Sequence, residues 1–81
     1  MRLLRLGSNA HMLETPAGAL LFSYEALVAL RIGAAYYRLP GMISTATRAH
    51  MARFAPDGAR VVAVDPRVFA IYARNVVTGG I

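Results

Sequence analysis

The sequence predicts an α+β domain, a small antiparallel sheet of about four or five strands with one or two helices packed on one face. Three observations lead there. Short apolar runs are separated by turn-forming residues at Gly7-Ser8-Asn9, Thr15-Pro16-Ala17-Gly18, Gly33 and Pro40-Gly41, the pattern of strands joined by tight connections. Ser44 then precedes a stretch, Thr45 to Phe54, whose apolar positions recur at helical spacing. Finally, 81 residues support one core only, because two half-sized cores would bury too little surface to offset chain entropy. Residues 1–81 are therefore read as a single domain.

Taken in order, Arg2 to Leu6 mixes leucine with arginine and reads as an edge strand, ended by the turn at Gly7-Ser8-Asn9. His11 to Thr15 and Ala19 to Ser23 form a hairpin around Thr15-Pro16-Ala17-Gly18, where proline presets the first central turn position. Ser23-Tyr24-Glu25 is either a tight turn or a bulge leading into a strand over Ala26 to Leu30. A three-residue loop at Arg31-Ile32-Gly33, with Gly33 left-handed, leads to a strand over Ala34 to Leu39. A two-residue turn at Ile32-Gly33 would put a β-branched residue at positive φ.

After Pro40-Gly41, Ser44 is placed to cap a helix from Thr45 to about Phe54. At 100° per residue, Ala46, Thr47, His50, Met51 and Phe54 fall on one side and Thr45, Arg48, Ala49 and Ala52 on the other, so this helix covers a sheet. Pro56-Asp57-Gly58 ends it, and the valines of Arg60 to Val64 make a strand. Asp65-Pro66 offers an N-cap followed by proline at the first helical position, favouring a second helix from Pro66 to about Asn75 over a final strand. Residues 76–81 are expected to fray as a flexible tail.

Composition bounds the function. Apolar residues make up 57% of the chain and mean hydropathy is +0.46, high for a domain with so much surface, which leaves room for self-association or a partner. No sequence feature sets the symmetry of such an association. The longest uncharged stretch, Thr15 to Tyr24, falls far short of the roughly 18 apolar residues a spanning helix needs, so no membrane is expected. No export signal is visible near Met1, which points to the cytoplasm. All nine basic residues are arginine, against four acidic ones, for a net charge of +5. Guanidinium forks pair with carboxylate or phosphate and stack on rings, which suits a binding surface; a GC-rich genome produces the same bias by codon supply.

Few groups are available for catalysis. There is no cysteine, zinc-ligand spacing is absent, and Gly33, Gly41 and Gly58 match no phosphate-cradling pattern, so neither metal nor cofactor is expected. His11 and Glu14 fall on opposite faces of a strand. Ser44, His50 and Asp65 could be named as a triad, but Ser44 serves better as a helix cap. His50, midway along the apolar side of its helix, reads as a structural core histidine. No enzyme is expected.

The remaining cluster is Tyr36 and Arg38, expected to project to water on the strand face away from Tyr37 while the Tyr37 face packs beneath the Ser44-capped helix, with Arg31 in the adjacent loop. Tyrosine and arginine are preferred anchors at protein interfaces and can also stack a base and hold a phosphate. Arg48 and Arg53 extend this candidate surface along the helix. A solvated sheet face carrying long arginine stems is the plain alternative.

Leu21-Phe22-Ser23-Tyr24 with Val28, then Ala35-Tyr36-Tyr37-Arg38, then Ser44-Thr45-Ala46-Thr47-Arg48-Ala49-His50 resemble a family of small uncharacterised proteins from phages and mobile elements with a Ser-Tyr, then Ser-x-Thr-Thr-x-x-His pattern. The likeness spans about Leu20 to Phe54. This chain has Thr45-Ala46-Thr47 where the family shows adjacent threonines. The resemblance implies a phage-like origin and carries no activity with it. In character the chain is also similar to anti-CRISPR proteins, which implies an inhibitor acting in the host cytoplasm on a host protein or ribonucleoprotein, a CRISPR-Cas effector. A small DNA- or RNA-binding module or phage regulator is the alternative, which the charge permits.

Overall fold

Four consecutive two-residue turns set the course of the chain. The computed structural model describes residues 1–41 and 43–79. Five strands, β1 (Arg2–Gly7), β2 (Ala10–Thr15), β3 (Gly18–Ser23), β4 (Ala26–Ile32) and β5 (Ala35–Arg38), run antiparallel as a meander. Helix α1 (Thr45–Phe54) follows, then β6 (Val61–Ala63) and α2 (Pro66–Thr78). The sheet has six strands in chain order, and β6 lies parallel to β5. A parallel neighbour needs a crossover, which α1 supplies.

The turns explain the register. Thr15 pairs with Gly18 around Pro16-Ala17, as the proline implies. Ile32 pairs with Ala35, so the β4–β5 turn is Gly33-Ala34 and not the three-residue loop expected. Gly33 is still the left-handed residue, at φ 59°. Moving the turn one position on lets Ile32 stay extended, which removes the steric objection to a two-residue turn. Ser23 pairs with Ala26, making Tyr24-Glu25 a tight turn, and the extra residue, Val28, sits in a separate bulge within β4. Both Tyr24 (φ 56°) and Glu25 (φ 81°) are left-handed without being glycine.

Alternate residues of β3 and β4 feed two cores. Leu20 and Leu30 pack with Phe69 and Val76 of α2. Leu21 and Ala29 pack with Met51 of α1, with Phe54 alongside. Successive strand side chains point to opposite faces, so the helices cover opposite faces of the sheet, a correction to the single covered face expected. The cause is visible in β3 itself, where Gly18 to Leu21 are all buried. A strand sandwiched on both sides is apolar throughout and does not alternate. Burying one leucine as fully as Leu21 or Leu30 contributes about 1.5–3 kcal/mol.

Both helices start as the sequence indicates. Ser44 Oγ accepts from Thr47 N at α1, and Asp65 accepts from Arg67 N at α2 with Pro66 in the first turn. Helix α2 runs past Asn75 to Thr78, which corrects the tail expected from residue 76. Val76 is only 1% exposed, and its carbonyl accepts a 2.8 Å hydrogen bond from Thr15 Oγ1. Gly18, beside this contact, lets β3 lie close to β4, since a β-carbon there would strike the Arg31 carbonyl. Gly80 and Ile81, the rest of the expected tail, lie outside the described residues.

Candidate binding surface

Cross-strand pairing assembles three of the five candidate residues. Arg31 on β4 stands opposite Tyr36 on β5, and Arg38 stands opposite Ala29. Arg31 is therefore a strand residue and not a loop residue, and all three side chains share the face that carries α1.

That placement corrects the expected environment. Helix α1 was expected to cover the Tyr37 face and leave Tyr36 and Arg38 to water. Instead Tyr36 meets Phe54 of α1 edge to face, with centroids 5.6 Å apart at 85°, while Tyr37 packs on Tyr72 of α2 at 5.0 Å. Arg31, Tyr36 and Arg38 are each half-buried. The cluster flanks α1, its aromatic ring braced by the helix.

The arginines are held by backbone oxygens. Arg31 Nη1 donates to the Gly33 carbonyl at 2.9 Å and Arg38 Nη1 to the Leu39 carbonyl at 3.0 Å. Each such bond uses one of five guanidinium donors and leaves the charge uncompensated. Among the described residues the one ion pair is Arg2–Glu14, at 2.7 Å. Arg38 also borders an open hollow of about 200 Å³ floored by Val28, Ile43 and Met51, an apolar recess beside a cation.

Arg48 and Arg53 do not join the cluster in the same way. Arg48 is exposed on α1. Arg53 reaches the other way, to β1, where Nη1 donates to the Leu6 carbonyl at 2.9 Å. β1 and β5 lie at opposite ends of the antiparallel meander.

Ser44 and His50 belong to a separate network that runs from the exposed start of α1 to the buried Ser23–His50 contact. Ser44 Oγ donates to Thr47 Oγ1 at 3.0 Å, Thr47 Oγ1 lies 3.0 Å from Ser23 Oγ, and Ser23 Oγ lies 2.8 Å from His50 Nδ1. With Ser44 donating to Thr47, the other two contacts run together in either direction: Nδ1 accepts from Ser23 in the Nε2–H tautomer of His50 and donates to it in the Nδ1–H tautomer. The Tyr24 ring lies 5.6 Å from the imidazole. The Ser23-Tyr24 and Ser44-x-x-Thr47-x-x-His50 elements thus converge at one place, where they tie α1 to β3. A serine at 2.8 Å from an imidazole has the spacing of a nucleophile and its base. Here Ser23 is 2% exposed and already shared with Thr47, so the contact acts as a latch. Asp65 is occupied at the start of α2, and no triad with Ser44 and His50 is assembled.

A second concavity escaped the sequence reading. Leu3, Asn9, His11, Phe22, Tyr24 and Glu25 line an open groove of about 440 Å³ where the β1–β2 and β3–β4 turns meet. Tyr24 N donates to the Asn9 carbonyl at 2.9 Å, joining the two turns. The local signal was the unusual Tyr-Glu pair at a turn, where Asn-Gly is the common choice.

No protein-family model matches the chain, and no curated protein or solved structure matches it either.

Proposed function

We propose that this chain is a phage-derived, non-enzymatic inhibitor that binds a host CRISPR-Cas surveillance complex and blocks access of target DNA or recruitment of the nuclease. The observation that carries the binding reading is the Arg31–Tyr36–Arg38 cluster: one cation across the ladder from a tyrosine and one two residues along its strand, both without carboxylate partners among the described residues, on one sheet face. Tyr36 is already ordered against Phe54, so it loses little side-chain entropy when a partner covers it. The hollow beside Arg38 accepts an apolar side chain next to an anion. The choice of a CRISPR-Cas complex rests on the likeness in character to anti-CRISPR proteins.

Charge narrows the mode of action. At +5 the chain is no mimic of DNA; it docks on an acidic protein surface or on nucleic acid held within the complex. The test is binding to purified surveillance complexes and to free duplex DNA over a series of salt concentrations. Saturable binding to a complex with none to free duplex is the expected result. Binding to bare duplex that falls steeply with salt, with no preference for a complex, overturns the reading in favour of a nucleic-acid-binding module.

A further inference from the structure

β1 is a free edge of unusual character. Among the described residues it is paired on one side only, by β2, so its outer backbone N–H and C=O groups, apart from the Leu6 carbonyl held by Arg53, are open to another strand. Leu3 is 65% exposed and Met1, just before the strand, 67%. The opposite edge, β6, offers three residues against six in β1. An exposed strand with apolar side chains on an already hydrophobic chain is a pairing template, and charges are what ordinarily blunt it. Arg2 and Arg5 are those charges. Arg2 is neutralised by Glu14 across the β1–β2 ladder, whereas Arg5, among the described residues, bonds only the Gly7 carbonyl.

We propose that two copies of this chain pair antiparallel through β1, with Leu4 on the two-fold axis, to form one continuous twelve-stranded sheet, twice the six strands of one copy. A two-fold perpendicular to the sheet keeps α1 on the same side in both copies. Facing residues then share a face, which admits centres at Leu3, Leu4 or Arg5. A centre at Arg5 sets two guanidinium groups directly opposite, which is unfavourable. A centre at Leu3 pairs only Arg2 to Leu4 within the strand. A centre at Leu4 pairs Arg2 through Leu6, with Arg2 facing Leu6, Leu3 facing Arg5, and no like charges opposed. The arginines thereby select the register instead of forbidding the pairing. Arg53, bonded to the Leu6 carbonyl, closes the ladder at its end.

The register makes a charge-exchange test available at two exposed positions. Sedimentation velocity over a concentration series reads the association, and circular dichroism checks that each variant folds. The wild-type chain is expected to sediment as a dimer. Leu3→Arg sets two new like-charge contacts against Arg5 and is expected to weaken the dimer roughly tenfold. Adding Arg5→Glu to Leu3→Arg restores it, because each new arginine then faces a glutamate. A wild-type monomer at the highest soluble concentration overturns the proposal. So does a Leu3→Arg variant that dimerises like wild type, or a double variant that stays dissociated. This edge lies across the sheet from Arg31, Tyr36 and Arg38, so its outcome is independent of the proposed inhibitor function.

Discussion

Ser23→Ala isolates the latch between α1 and β3. The substitution removes one hydroxyl and two hydrogen bonds, at 2.8 Å to His50 Nδ1 and 3.0 Å to Thr47 Oγ1. Thr47 keeps its bond to Ser44, but His50, 8% exposed, keeps no side-chain partner at Nδ1. A buried polar atom left without a partner costs about 1–3 kcal/mol, so a loss of about 2 kcal/mol is expected. For a domain of this size that lowers Tm by roughly 10 °C, readable by thermal circular dichroism and by urea titration at constant m. Ser23→Ala combined with His50→Leu removes both ends of the bond. The pair is then expected to cost at least about 1 kcal/mol less than the sum of the two single changes. If Ser23→Ala shifts stability by less than about 0.5 kcal/mol, or if the double variant is simply additive, the network is not what holds α1 in place.

Three further outcomes follow from the same geometry. Passing the Ser44 proton direction on through Thr47 and Ser23 predicts the Nε2–H tautomer for neutral His50; long-range ¹H–¹⁵N spectra showing the Nδ1–H tautomer would reverse the last two bonds. Glu25→Gly relieves a left-handed φ of 81° and should stabilise the fold by about 1 kcal/mol, seen as a higher urea midpoint. Ending the chain after Asn75 removes buried Val76 and the acceptor of Thr15; loss of several kcal/mol is expected, of the order seen for large core truncations, and a truncated chain with unchanged Tm would refute the role given to the last turn of α2.

Local chemistry was the readable part of this chain. Pro16 in the β2–β3 turn, Ser44 and Asp65 at the helix starts, and left-handed Gly33 each follow from one residue's backbone or hydrogen-bonding preference, and each stands where expected. What the sequence left open depends on contacts between distant segments. The apolar runs in β3 and β4 signal burial on both sides, but nothing local says that α1 takes the Leu21 side and α2 the Leu20 side. Assigning α1 to the wrong side placed Tyr36 in water, when it belongs against Phe54. The end of α2 was set too early because terminal residues ordinarily fray, a tendency overridden by the packing of Val76. Tyr24 and Glu25 adopt a conformation few side chains favour, held by the bond from Tyr24 N to Asn9 and by the His50 ring.

In the candidate surface the strand period alone grouped Tyr36 with Arg38, and the β4–β5 register moved Arg31 from the expected loop to a strand position opposite Tyr36. Arg48 and Arg53 were grouped by their place on one helix. The bond from Arg53 to the Leu6 carbonyl depends on how that helix lies over β1, which no local pattern encodes.

The direct test of the binding reading compares two charge-matched variants. Arg31→Ala with Arg38→Ala and Arg60→Ala with Arg67→Ala each remove two of the nine arginines, the second pair from exposed positions outside the cluster. Titrated against the same surveillance complex, the first variant is expected to bind at least roughly tenfold more weakly than wild type and the second nearly as wild type. Equal losses in both would assign the affinity to net charge, and an undiminished first variant would take the cluster out of the interface; either result contradicts the account.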